Sequence, residues 1–84
     1  MHRTTDRFWK CFEKLPSHIQ KLAEENFELL KKDLKYPSLH FKKVGRLLWS
    51  ARIGLNHRAL AFEDGNDFIW VWLGTHDEYM RMIK

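Results

Sequence analysis

An α+β fold, with an N-terminal helical hairpin packed on a four-stranded antiparallel sheet and a short C-terminal helix, is what this sequence predicts, on three observations. Between Leu47 and Tyr79, three runs rich in β-branched and aromatic residues (Leu48 to Gly54, Arg58 to Glu63 and Phe68 to Leu73) are separated by Leu55-Asn56-His57 and Asp64-Gly65-Asn66-Asp67. Turn formers between strand formers read as an antiparallel meander. Upstream, two apolar stripes repeat at helical spacing, the first stopped by Pro16 and the second by Pro37. The 84 residues show no internal repeat, low-complexity stretch or linker, so residues 1–84 form one domain.

Each element has its own signal. Thr5-Asp6 starts the first helix, because a threonine side chain caps free amides and an early aspartate suits the positive helix end; Phe8, Trp9, Phe12 and Leu15 follow at helical spacing. Ser17-His18-Ile19-Gln20 has the form of a capping box for the second helix. The stripe of that helix runs Ile19, Leu22, Ala23, Phe27, Leu30 and Leu34, with Lys21, Glu24, Glu25, Glu28, Lys31 and Lys32 on the wet side. Tyr36-Pro37-Ser38 breaks it, since a proline disfavours helical geometry at the residue before it. Leu39 to Val44 alternates as a first, shorter strand, and Gly45-Arg46 turns into Leu48.

Alternation assigns the faces of the sheet. Trp49, Ala51 and Ile53 share one face of their strand, leaving Ser50 and Arg52 on the other. In the last strand Phe68, Trp70 and Trp72 form one set, which continues by twos through Gly74 to His76. Strict parity puts Arg58 with the apolar Leu60 and Phe62, so either a bulge intervenes or Arg58 sits at the rim.

Composition narrows the function. Fifteen Lys and Arg against eleven Asp and Glu give a net charge of +4, which suits a polyanion or an acidic protein and equally serves solubility. The single cysteine, Cys11, cannot close an internal disulfide, and no apolar run approaches the ~20 residues of a membrane span. A cytoplasmic, soluble protein is expected. No Cys/His spacing suggests zinc, no glycine-rich loop suggests a nucleotide cofactor, and no metal or cofactor is expected.

The run Leu48-Trp49-Ser50-Ala51-Arg52-Ile53-Gly54, then His57-Arg58-Ala59-Leu60, then Gly74-Thr75-His76-Asp77-Glu78-Tyr79, resembles the RelE/ParE superfamily of bacterial toxins from type II toxin–antitoxin pairs. The resemblance covers most of the chain. Many members begin with a strand before the helices, for which Met1 to Thr4 is barely long enough, and many ribosome-dependent members end soon after the functional His, whereas here a short helix of Asp77 to Ile83 follows. The implied activity is metal-independent cleavage of translated messenger RNA on the ribosome by attack of a ribose 2′-hydroxyl on the adjacent phosphate, with a cognate antitoxin as partner. ParE-like relatives imply a different activity, inhibition of DNA gyrase by binding; a degenerate member would bind only its antitoxin.

On the nuclease reading Arg52 and Arg58 grip the phosphate, since paired guanidinium hydrogen bonds match its oxygens. His76 supplies the leaving oxygen's proton, and His57 or His40 is the base, Lys42 serving only in its neutral form. His40, Lys42, Lys43 and Arg46 contact phosphates along the RNA, and Trp70 or Trp72, if exposed, stacks on a base. Ordinary structural roles compete with each assignment. Two sheet arginines can pair with carboxylates, Thr75 to Glu78 is a capping box that makes His76 a first-turn residue, tryptophans are more often core, and Lys42-Lys43 is a charged edge.

Overall fold

The computed structural model describes residues 1–83. The chain runs β1 (His2–Thr4), α1 (Asp6–Glu13), α2 (Ser17–Lys32), β2 (Lys42–Lys43), β3 (Leu48–Ile53), β4 (His57–Asp64), β5 (Asp67–Thr75) and α3 (His76–Met82), with a single 3-10 turn at Pro37–Leu39 before β2. The sheet has five strands in the order β1-β5-β4-β3-β2. The expected antiparallel set β2 to β5 is present, and β1 adds to it in parallel with β5, so the sheet is mixed. Phe68 N donates to Met1 O at 2.8 Å, the Thr5 hydroxyl donates to Trp70 O at 2.9 Å, and Arg3 pairs with Asp67 at 3.1 Å. Three residues carry too little periodicity to announce themselves, yet the partner strand lies more than sixty positions away and supplies the bonds.

The helices begin and end for legible reasons, with one exception. Thr5 Oγ1 accepts from Phe8 N at 3.2 Å, as expected of a cap. Ser17 does not cap α2. The Pro16 carbonyl accepts from both Ile19 N and Gln20 N at 3.0 Å, and the Gln20 side chain donates instead to Phe12 O. That last bond ties the two helices together. They cover one sheet face side by side, α1 over β5 and α2 over β3.

The strand expected over Leu39 to Val44 shrinks to Lys42 and Lys43. Pro37 starts the 3-10 turn, Leu39 plugs the core at 1% exposure, and His40 takes a left-handed conformation (φ 44°) that swings the chain out before pairing resumes.

The main core lies between the helices and the sheet: Phe8, Ala23, Leu30 and Leu39 meet Ala51, Ile53, Ala59, Ala61, Trp70 and Leu73. Burying each of its larger side chains contributes about 1.5–3 kcal/mol. A smaller cluster, Leu60, Trp72 and Tyr79, lies where α3 folds over the opposite face. The two tryptophans therefore part company. Leu60 pairs with Trp72 but Ala61 pairs with Trp70, so Val71 is an extra residue in β5 and the strand changes parity there. The expectation that both tryptophans share a face, and that one stacks on a base, fails; both are core residues, 1% and 7% exposed.

Candidate functional site

Register places the arginines. Arg52 of β3 is the cross-strand partner of Arg58 in β4, and Arg58 is the partner of Gly74 in β5. The parity change is in β5 rather than β4, so Arg58 stays on the face of Ser50, Arg52 and Leu60, away from the helices and toward α3. Of the two explanations weighed for its parity, the rim is the correct one for Arg58, and the bulge belongs to its neighbour.

Both guanidinium groups are half-buried, and their main partners are main-chain carbonyls. Arg52 Nε donates to Gly54 O at 3.1 Å, Arg58 Nη1 donates to His57 O at 2.9 Å, and among the described residues neither forms a salt bridge. Burial holds the Arg58 pKa below the usual arginine range, the neighbouring Arg52 charge lowers it further, and Tyr79 acts in the opposite direction. Like charges directly opposite in a sheet are destabilising. The arrangement suits a guest anion.

His76 opens α3 directly after β5. Its amide donates to Asn56 O at 2.6 Å, one step beyond the His57–Thr75 pair. The capping box expected at Thr75 is also real: Thr75 Oγ1 accepts from Glu78 N at 3.2 Å while Glu78 Oε1 accepts from Thr75 N at 3.0 Å. Those bonds hold the Glu78 carboxyl below the usual carboxylate range. The two readings of this segment are compatible, because the cap uses Thr75 and Glu78 and the imidazole of His76 forms no hydrogen bond to any of the described residues. No hydrogen bond joins His76 to either arginine. Tyr79 spans the interval, its ring 6.2 Å from that of His76 and its hydroxyl 3.4 Å from Ser50 Oγ. Tyr79 and Ser50 escaped the sequence reading, although Tyr79 stands one helical turn after His76 and could have been found from that spacing.

The remaining candidates divide. His40 joins the site, with Arg52 Nη1 3.4 Å from its Nε2. Lys42 pairs with Ser50 and shares the arginine face, whereas Lys43 pairs with Trp49 and falls on the helix side; both are exposed, as is Arg46 in the turn that follows. His57 does not join. It follows the parity of Ile53 and Thr75, on the other side of the sheet from Arg58, and lines a groove with Cys11, Lys14 and Glu78. Burial lowers its pKa, His18 lowers it further, and Glu78 partly offsets both. The described residues hold no cluster of three or more His, Cys, Asp or Glu able to bind a metal, and no described helix is long and apolar enough to cross a membrane.

Residues 17–81, from the start of α2 into α3, match the family model of the ParE-like toxin domain. The chain belongs to the ParE-like toxin family. The fold of this ParE-like toxin is shared with a chain of the RelB-RelE antitoxin–toxin complex from Methanococcus jannaschii (TM-score 0.76, 18% identity, 98% of this chain and 99% of that one). It is shared also with the RelBE2 toxin–antitoxin complex from Mycobacterium tuberculosis (TM-score 0.72, 22% identity, 90% of each chain) and with a YoeB/ParE toxin from Agrobacterium tumefaciens (TM-score 0.69, 14% identity, 89% of this chain and 96% of that one). No curated protein sequence matches the chain.

Proposed function

We propose that this ParE-like toxin is a metal-independent endoribonuclease acting on translated messenger RNA, held inactive by a cognate antitoxin. The observation that carries the reading is the Arg52–Arg58 pair, two cations side by side on a sheet face with no carboxylate between them. A scissile phosphate resting on both guanidinium groups relieves their repulsion, and they stabilise the extra negative charge as the phosphorus becomes five-coordinate.

His40, its Nε2 beside Arg52, is the base that takes the proton from the 2′-hydroxyl. The 2′-oxygen attacks phosphorus, the bond to the 5′-oxygen breaks, and His76 gives that oxygen a proton. The products are a 2′,3′-cyclic phosphate and a 5′-hydroxyl end. Lys42 and Arg46 hold flanking phosphates from the exposed edge of the same region. An antitoxin partner is supported by the likeness to the Methanococcus jannaschii and Mycobacterium tuberculosis complexes, whose toxins are solved bound to theirs.

The second reading, inhibition of DNA gyrase by binding, is favoured by the ParE-like character of the matched family model, and one fold can serve both activities. Primer extension on cellular messages after induction separates them. Cleavage that disappears in His76→Ala and Arg58→Ala supports the nuclease; intact messages with double-strand DNA breaks support gyrase poisoning.

A further inference from the structure

A groove of about 390 Å³ is lined by Arg52 at the free end of β3, beyond the reach of the two-residue β2. Leu22 and Asn26 of α2 form one wall, Ser38 and His40 the second, and Arg52 with Leu55 the third. A volume of this size is within the range of small-ligand sites. Its chemistry is graded: guanidinium and imidazole at one end, a hydroxyl and a carboxamide along the side, and aliphatic carbon from Leu22 and Leu55 on the remainder.

Two features mark the groove as built for an occupant. Asn26 Nδ2 reaches Arg52 O at only 3.4 Å, which leaves the rest of its amide, an acceptor and a second donor, without a protein partner. Leu55 is 77% exposed at the tip of the β3–β4 turn, an apolar plate with nothing packed on it. A flat, edge-polar group with a phosphate attached fits both ends at once.

We propose that this groove binds the nucleoside on the 5′ side of the cleaved bond, with the nucleobase between Leu22 and Leu55, its edge against Asn26, and its 3′-phosphate on Arg52. This placement rests on the nuclease reading and adds to it a base-reading residue, since a carboxamide offers a donor and an acceptor to a base edge. It also brings the ribose of that nucleoside, and hence the attacking 2′-hydroxyl, to His40. Asn26 is then a specificity residue, and the message is cut preferentially after the base that it reads.

The test has two arms. In the first, the four nucleoside 3′-monophosphates are titrated into the isotope-labelled protein and followed by NMR. The proposal expects shifts in the Asn26 side-chain amide and the Leu22 and Leu55 methyls, unequal affinity among the four bases, and binding weakened about five-fold by Leu55→Ser. Asn26→Asp, which keeps the volume but loses the donors, is expected to reorder the preference; its melting curve shows whether the variant folds. In the second arm, RNA of mixed sequence is cleaved and the ends mapped, and Asn26→Asp is expected to change which base precedes the cut. Equal affinity for all four nucleotides, shifts confined to other surfaces, or an unaltered cleavage pattern in folded Asn26→Asp overturns the groove assignment. Nucleotide binding at the groove with no RNA cleaved by the unmodified protein, free or with ribosomes, overturns the nuclease reading instead.

Discussion

Replacing Gly74 with alanine puts the packing behind the site to the test. Gly74 is the cross-strand partner of Arg58, and a Cβ placed there lies 2.4 Å from Trp72 Cζ2 and 2.9 Å from Glu78 Oε1. The indole cannot retreat easily, because Trp72 is 7% exposed and packs with Leu60 and Tyr79. Two effects oppose each other. Alanine reduces the freedom of the unfolded chain and stabilises by about 0.4–1 kcal/mol where the native backbone accepts it, whereas forcing a methyl into filled space costs about 1–3 kcal/mol. With the nearest contact far below van der Waals distance, the steric cost wins by about 1–2 kcal/mol, or roughly 5–15 °C in melting temperature for a domain of this size. Gly65→Ala is the control. Its Cβ meets nothing within 4 Å but its φ is +60°, so its cost is conformational only and Gly65→Asn recovers part of it. Thermal melts followed by circular dichroism decide the matter. A Gly74→Ala protein that melts at or above the parent temperature refutes the packing of Trp72 over Gly74, and with it the account of how α3 is held against the arginine face.

Further expectations concern charge and hydrogen bonding. Arg58→Lys keeps the charge but loses the paired geometry, so RNA cleavage falls about 10²-fold or more while the melting temperature moves by only a few degrees; full activity in that variant removes the bidentate role. Stability falls with acidification below about pH 6.5, the ordinary histidine value. His2 and His57 both have lowered pKa values in the folded chain, chiefly through burial, so the unfolded chain binds more protons and stability present above that pH is lost as pH falls through it. His2→Gln, which keeps an acceptor for Trp70 Nε1–H, is expected to flatten the melting temperature between pH 7 and 5; an unchanged slope rules out His2 as a contributor. Tyr79→Phe removes the 3.4 Å contact with the buried Ser50 hydroxyl and costs about 0.5–1.5 kcal/mol in chemical denaturation, a change absent if Ser50 is satisfied elsewhere.

What was legible in the sequence was what repeats. The meander from Leu48 to Thr75 and the stripes of α1 and α2 follow from periods of two and 3.6, which tertiary packing rarely overrides over several turns or strand residues. The cap at Thr75 was legible because it is local. Events of one to three residues were not: the extra Val71 in β5 leaves no mark on composition but moves Trp70 and Trp72 to opposite faces. Likewise β1 is defined by Phe68 to Trp70 rather than by its own residues, and Ser17 loses its capping role because the Pro16 carbonyl already satisfies the helix start. Arg52 and Arg58 fall opposite each other in register, a pairing the two strands and their short turn already suggest. Of the two histidines offered as base, His57 takes the parity opposite to Arg58, since adjacent residues of a strand point to opposite faces.

On the nuclease reading, two arginines and His76 together break a phosphodiester bond. The most direct measurement incubates the purified protein with a defined message, with and without ribosomes, and identifies the new termini. Expected are 2′,3′-cyclic phosphate and 5′-hydroxyl ends from the parent protein and none from a folded His76→Ala variant. Ends of any other kind, equal cleavage by that variant, or an intact message in both conditions contradict it.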